Sequence, residues 1–206
     1  MSFYENHVLP HLIGLACGAP QIMKKRSQIV PAAEGRVLEV GFGAGPNLAF
    51  YDPAKVTRLF ALEPSAGMRR KAAKAIADSP VDTEVIDLSA EAIPLEDASL
   101  DTVVLTYTAC TIPDVDAALA EMRRVLRPGG TLLFSEHGRA PDAGVYKWQR
   151  RIEPVWKPIA GGCHLTRKID DLITGAGFRI DRLEADYLPK SPKFAAFNYS
   201  GSAKIA

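Results

Sequence analysis

Residues 36–47 read Arg36-Val37-Leu38-Glu39-Val40-Gly41-Phe42-Gly43-Ala44-Gly45-Pro46-Asn47. A short apolar run carrying one acid enters a turn with glycine at every second position. The pattern predicts a strand whose turn opens a helix, exposing backbone N–H groups that receive a carboxylate or phosphate. Glycine serves there because no Cβ blocks the approach of a ligand to the backbone. A second apolar run, Leu59-Phe60-Ala61-Leu62, ends in another acid, Glu63. An acid roughly 20 residues beyond the glycines, at the tip of the next strand, is placed to accept hydrogen bonds from a ribose diol. Together these features predict a nucleoside-containing cofactor. A dinucleotide fingerprint would put its last small residue at position 46, which is Pro46.

Composition narrows the class. The chain has 206 residues, 47% hydrophobic and 24% charged, which fits one globular domain spanning 1–206 rather than a disordered chain. A formal charge of +1 argues against a dedicated nucleic-acid surface. Cys17, Cys110 and Cys163 are widely spaced, so neither a disulfide framework nor a metal site is expected. The sequence contains no apolar stretch of about 18 residues and no signal-peptide pattern, so a cytoplasmic protein without a transmembrane segment is expected.

Around the glycine turn, strands and helices alternate. Residues 1–30 read as two short helices split near Gly18-Ala19-Pro20, either a cap over the sheet or a lid bringing Tyr4 or His7 to a substrate. Lys24-Lys25-Arg26 reads as a solvated helix face. A short helix is expected over 46–51, a strand over 58–63, and a helix from Pro64-Ser65 to Asp78-Ser79-Pro80. Strands follow at 83–86 and 100–105. A helix capped by Asp114 then carries Val115, Leu119, Met122 and Leu126 in one stripe until Arg127-Pro128-Gly129-Gly130 stops it, and a strand covers 131–136. This order implies an α/β fold with a doubly wound, mostly parallel sheet. Over 138–165 the alternation lapses, and the segment holds Trp148, Trp156, Pro154 and Pro158. Lying past a strand's carboxyl end, it reads as a substrate wall or as a hydrophobic flap. Thr166 is read as the cap of a last helix to Gly175. Strands at 178–187 and 194–202 make an antiparallel hairpin at one sheet edge.

The run Glu39-x-Gly41-x-Gly43-x-Gly45, with Asp97 to Val104 and Val125 to Gly130, resembles the motifs of the class I S-adenosylmethionine-dependent methyltransferases over essentially the whole chain. The resemblance implies a seven-stranded Rossmann-like methyltransferase fold and S-adenosyl-L-methionine as cofactor. It places Gly41, Gly43 and Gly45 along the methionine part, with Glu39 near its amino group and Glu63, followed by Pro64, on the ribose. Ser89, Ala90 and Glu91 would lie beside the adenine, and Thr106 with Tyr107 below the sulfonium. Ser89 stands where many relatives have Asp, which either weakens the adenine contact or passes it to Glu91.

Further on, Ser135-Glu136-His137, the run from Trp148 to Lys157, and Gly162-Cys163-His164-Leu165-Thr166-Arg167 are similar to the methyltransferase-like group typified by the mammalian alkyl thiol methyltransferases. That group implies a small hydrophobic thiol as methyl acceptor. Its mammalian members begin with a hydrophobic anchor, and this chain is expected to do without one. Quinols, phenols and phospholipid headgroups stay open as acceptors, as does a non-catalytic cofactor-binding scaffold. A thiol reacts as its thiolate, so a nearby base helps at neutral pH. His137 and His164 are the candidates. Tyr4, Trp148 and Trp156 are the candidate acceptor walls.

Overall fold

Parallel strands covered on both faces need near-continuous apolar sequence, and the central strands have it. The computed structural model describes Gly14 and residues 17–206. The elements run α1 (Pro20–Ile29), β1 (Gly35–Val40), β2 (Val56–Leu62), α2 (Ala66–Ala77), β3 (Thr83–Ile86), β4 (Leu100–Thr106), α3 (Val115–Val125), β5 (Leu126–His137), α4 (Ala143–Ile159), α5 (Ile169–Gly175), β6 (Phe178–Tyr187), α6 (Lys193–Ala196) and β7 (Phe197–Ile205). Tyr4, His7 and the first expected helix lie outside the described residues.

The sheet order is β3-β2-β1-β4-β5-β7-β6. The first five strands in that order are parallel, and β7 pairs antiparallel to both β5 and β6. This is the doubly wound sheet with an antiparallel edge hairpin that the residue pattern predicts. Alternation along each strand builds two cores. Leu38, Val40, Phe60 and Leu62 pack with Leu119 and Met122 of α3 and Ile169 of α5. Val37, Leu59 and Ala61 pack on the opposite face with Ile29, Ala72 and Tyr51. Glu39 falls on the face of Val37, and that register decides where its carboxylate goes.

Several expected boundaries move. The stretch after the glycine turn forms only a short 3-10 turn, Leu48–Phe50. α3 ends at Val125, and Leu126 already belongs to β5, because its backbone turns extended (φ −71°, ψ 132°) and pairs with Leu100. Strand β7 begins at Phe197 rather than 194, after the short α6.

The largest correction is the stretch after β5, which contains a 17-residue helix, α4, with Pro154 and Pro158 inside it. A proline removes one helical N–H, which leaves the carbonyl four residues earlier without its partner. Those carbonyls belong to Arg150 and Pro154, both exposed residues, on the side of the helix that water can reach. Two inward polar side chains hold the helix in place. Gln149, fully buried, accepts from Ala140 N–H (2.9 Å) and donates to the carbonyls of Gly138 (3.0 Å) and Phe194 (2.9 Å). Glu153 Oε2 accepts from Leu165 N–H (2.7 Å), Thr166 N–H (2.8 Å) and Thr166 Oγ1–H (2.8 Å). Thr166 is thus spent on Glu153, and α5 begins later, at Ile169.

The glycine turn is held from beneath by a buried polar network. Arg26 of α1 is 3% exposed, which corrects its reading as part of a solvated face. It shares a helical face with Ile29 and Val30, three and four residues on and so about one turn away. Its Nη1 donates to Asn47 Oδ1 (2.8 Å) and Thr106 Oγ1 (2.7 Å). Asn47 Nδ2 donates to Glu39 Oε1 (3.0 Å) and Thr106 Oγ1 (3.0 Å), while Tyr51 O–H donates to Glu39 Oε2 (2.7 Å). Lys25 is likewise buried and pairs with Asp186 at 2.9 Å.

Burial pushes the Glu39 carboxyl from its ordinary 4.5 up to about 7, against its hydrogen bonds and the Arg26 charge. The folded state therefore holds this proton more tightly than the unfolded chain. Its contribution is fully present below pH 4.5 and is lost as pH rises through about 7. Glu39→Gln removes the titration. Urea unfolding at the two ends of that window should show the variant gaining on the wild type at the higher pH, by at most about 3 kcal/mol. A gap independent of pH would mean that Glu39 stays ionised throughout.

Candidate active site

The strand order reverses between β1 and β4, and open α/β sheets bind ligands at the carboxyl ends flanking such a point. A cavity of about 380 Å³ opens there. Its walls come from the glycine turn, the ends of β2 and β4, and the loops after them, with Cys17, Arg26 and Gly161 closing other sides.

The three glycines of the turn do different work. Gly41 has φ +70°, and a Cβ on it would lie 2.2 Å from Thr108 Cγ2, so it lets the turn pack on the end of β4. Gly43 has φ +60° and meets nothing nearer than the Gly41 carbonyl at 3.9 Å. It lines the cavity, and the space a side chain would fill is left to a ligand. Gly45 is outside the lining and serves the turn, donating to the Phe42 carbonyl at 3.0 Å.

Glu63 lies at the end of β2 in the cavity wall, 7% exposed. Its Oε2 accepts from Gly43 N–H (2.8 Å) and its Oε1 from Ser65 N–H (2.8 Å). The carboxylate thereby fixes the tip of the turn, and each oxygen keeps a further lone pair. Burial raises its pKa, and the two backbone donors and Arg69 oppose the rise. Pro64, Ser89, Ala90, Glu91, Thr106 and Tyr107 also line the cavity. Ser89 Oγ donates to Glu91, whose other oxygen accepts from Asp114 N–H at 3.3 Å. Tyr107 adopts φ +54° and donates its hydroxyl to Asn198 Oδ1 at 2.8 Å, while the Arg26 guanidinium lies 5.1 Å from its ring centre. In the sequence Arg26 was legible only as part of a basic, solvated helix face.

Glu39 is not brought to the cavity. It is 1% exposed, with its two oxygens on Asn47 and Tyr51 beneath the turn. The tryptophans are not in the cavity wall either. Trp148 is 61% exposed and borders an apolar surface groove with Val155 and Phe194. Trp156 borders the same groove and turns its indole N–H to Cys163 Sγ at 3.2 Å. The reason is helical: in α4 both project along one outer face, whereas an irregular loop could have folded them inward. Tyr4 lies outside the described residues.

The two histidines have different surroundings. His164 donates its backbone N–H to the Cys110 carbonyl (2.8 Å), and its Nδ1 is 3.6 Å from Glu153 Oε1. Burial and the nearby Arg167 and Lys157 charges lower its pKa, so its imidazole is neutral at neutral pH. His137, at the end of β5, has Nε2 3.1 Å from Cys163 Sγ. Burial works against its imidazolium, yet the Cys163 sulfur outweighs it and the net shift is upward. Cys110 is the third member of this group. The donor atoms of Cys110, His137 and Cys163 all lie within 4.8 Å of one another. The cysteines have no metal-like spacing along the chain, yet three separate segments bring together a compact set of donors that no such spacing reveals. Next to them Glu136, fully buried, accepts from Thr108 N–H (2.7 Å) and Ala109 N–H (3.1 Å), which shapes the loop after β4. Arg167 braces the same loop through the carbonyls of Ala109 and Pro113.

Comparison with known proteins agrees with this geometry. The methyltransferase-domain family matches residues 38–134. Thiol S-methyltransferase TMT1B of Homo sapiens is 35% identical over 185 residues, 82% of this chain and 75% of that protein. TMT1B of Rattus norvegicus is 36% identical over 156 residues, 73% of this chain and 63% of its own length. Among solved structures, a SAM-dependent methyltransferase of Thermotoga maritima superposes with a TM-score of 0.66 at 21% identity, covering 98% of each chain. A methyltransferase of Methanosarcina mazei gives a TM-score of 0.66 at 20% identity, covering 84% of this chain and 92% of its own. The chain belongs to the family of S-adenosylmethionine-dependent methyltransferases that includes the thiol S-methyltransferases.

Proposed function

We propose that this protein transfers the methyl group of S-adenosylmethionine to the sulfur of a small, hydrophobic thiol. The observation that carries the reading is the joint placement of Glu63 and the open face of Gly43 in one cavity at the reversal of strand order. A recessed carboxylate with spare lone pairs suits a ribose diol, and the open glycine suits close passage of a ligand past the backbone. The acceptor class is supported by the relatives, which are named thiol S-methyltransferases and of which this chain matches 63% (rat) and 75% (human).

When bound, the cofactor supplies a methyl group already activated on a sulfonium. The residues of the chain bind, orient and exclude water. Glu63 accepts the ribose hydroxyls, with Pro64 beside it. Ser89, Ala90 and Glu91 border the adenine. Gly41 and Gly43 pass the methionine part, with Thr106 and Tyr107 as floor. Glu39 acts from beneath, holding Asn47 and through it the turn. Leu62, Met68 and Ile112 make part of the cavity wall apolar, which suits a hydrophobic acceptor. His137, with Nε2 3.1 Å from Cys163 Sγ, is the candidate histidine for keeping the acceptor as its thiolate. His164, turned toward Glu153, is a positioning residue for the Cys110 loop.

Incubating the purified protein with methyl-labelled S-adenosylmethionine and parallel sets of alkyl thiols, phenols and quinols tests the reaction. Labelled thioether is expected from the thiols. Labelled product only from phenols or quinols would replace the acceptor class, and no product from any set would favour a binding scaffold. Glu63→Gln should weaken cofactor affinity by about 1–3 kcal/mol in calorimetric titration, the scale of a lost charged hydrogen bond. Gly43→Ala should abolish cofactor binding at a stability cost of only about 1–2 kcal/mol for its left-handed backbone. Unchanged affinity in both variants would move the cofactor out of this cavity.

A further inference from the structure

Three side chains that the cofactor site does not use converge beside it. Cys110 follows β4, His137 ends β5, and Cys163 follows α4. Cys110 and Cys163 are 3% and 7% exposed. The donor atoms lie within 4.8 Å of one another, and the shortest separation, His137 Nε2 to Cys163 Sγ, is 3.1 Å. A tetrahedral zinc ion with bonds of about 2.3 Å to sulfur and about 2.0–2.1 Å to nitrogen spaces its ligands by roughly 3.3–3.8 Å. The three atoms therefore need only small adjustments to close on one ion.

The surroundings fit such a site. Two thiolates and a neutral imidazole are a common ligand set for zinc, and burial favours a bound cation over two free thiolates. Trp156 Nε1 donates to Cys163 Sγ at 3.2 Å, the kind of outer hydrogen bond that orients a metal-bound sulfur. Glu136, adjacent to His137, sets the course of the loop bearing Cys110, and His164 N–H holds the Cys110 carbonyl. Each cysteine has a neighbour in the cofactor cavity: Thr111 beside Cys110, and Gly161 near Cys163. A three-ligand site leaves one tetrahedral position open, and these neighbours place the cluster beside that cavity.

We propose that Cys110, His137 and Cys163 bind a thiophilic divalent ion of the zinc type, whose fourth ligand is the sulfur of the methyl acceptor. The fourth ligand rests on the thiol-methylation reading, and the three-residue site does not. Acceptor binding is a ligand exchange. The metal–sulfur bond forms, a metal-bound water leaves, the thiol proton passes to solvent, and nothing is oxidised. The acceptor is thereby held as a thiolate next to the cofactor at neutral pH.

The test uses the full chain, reduced, stripped of metal and titrated with zinc and, in parallel, cobalt(II) as a spectroscopic probe. One equivalent per chain is expected, with sulfur-to-cobalt charge-transfer absorption. Cys110→Ser, Cys163→Ser and His137→Ala should each lower metal affinity by at least about tenfold, and Cys17→Ser should leave it unchanged. An alkyl thiol added without S-adenosylmethionine should shift the cobalt bands. No stoichiometric binding, or equal binding by all four variants, would overturn the site, as would a Cys110–Cys163 disulfide persisting under reducing conditions. Full thiol methylation by the metal-free protein would overturn the proposed role of the ion while leaving the thiol-methyltransferase reading intact. Cobalt binding in a protein that methylates no thiol would do the reverse.

Discussion

The site depends on Asn47, a fully buried amide that joins four segments of the chain. It accepts from Arg26 and donates to both Glu39 and Thr106, so the glycine turn is tied to α1, β1 and β4 at one point. Leaving any of these groups unpaired inside the sheet would carry the full cost of desolvation. The turn above them therefore has little freedom, and Glu63 locks its upper side through Gly43 N–H. A ligand meets a loop already held in place, so less ordering entropy is lost on binding.

A second constraint runs from the far end of the chain. Glu136 and Arg167 grip the loop after β4 from opposite sides, one through its N–H groups and the other through its carbonyls. Gln149 fastens α4 to the segment after β5, and Glu153 fastens it to Leu165 and Thr166 beside Arg167. These groups explain how a helix interrupted by two prolines keeps its position, and why Cys163 comes to rest against His137. The cofactor cavity and the cysteine–histidine cluster share the loop between β4 and α3, so the shape of one is linked to that of the other.

Much of this was legible from local pattern. The apolar strands, the glycine turn, the acid at the end of β2 and the late antiparallel pair all follow from periodicity and turn chemistry, which act over a few residues. Glu39 shows the limit of that reading. An acid at the end of an apolar strand is visible in sequence, yet which way its carboxylate turns depends on the strand's register and on Asn47 and Tyr51 waiting below. Arg26 is a similar case, since a basic triplet on a short helix looks solvated until the glycine turn and β4 each supply an acceptor. The tryptophans were read as part of an irregular insertion because the alternation lapses after β5, whereas that stretch folds into α4 and sets them along its groove.

The sequence by itself determined the family, the order of the strands, the cofactor class and the presence of an acid at the end of β2. Each of these rests on neighbours along the chain or on a spacing that the βα unit imposes. Only the tertiary structure decided that Glu39 braces the turn instead of lining the cavity, that Trp148 faces outward, and that Cys110, His137 and Cys163 meet. Those outcomes come from the packing of separate strands and helices across the sheet, and side chains brought together by long-range packing leave no periodic signal in the chain.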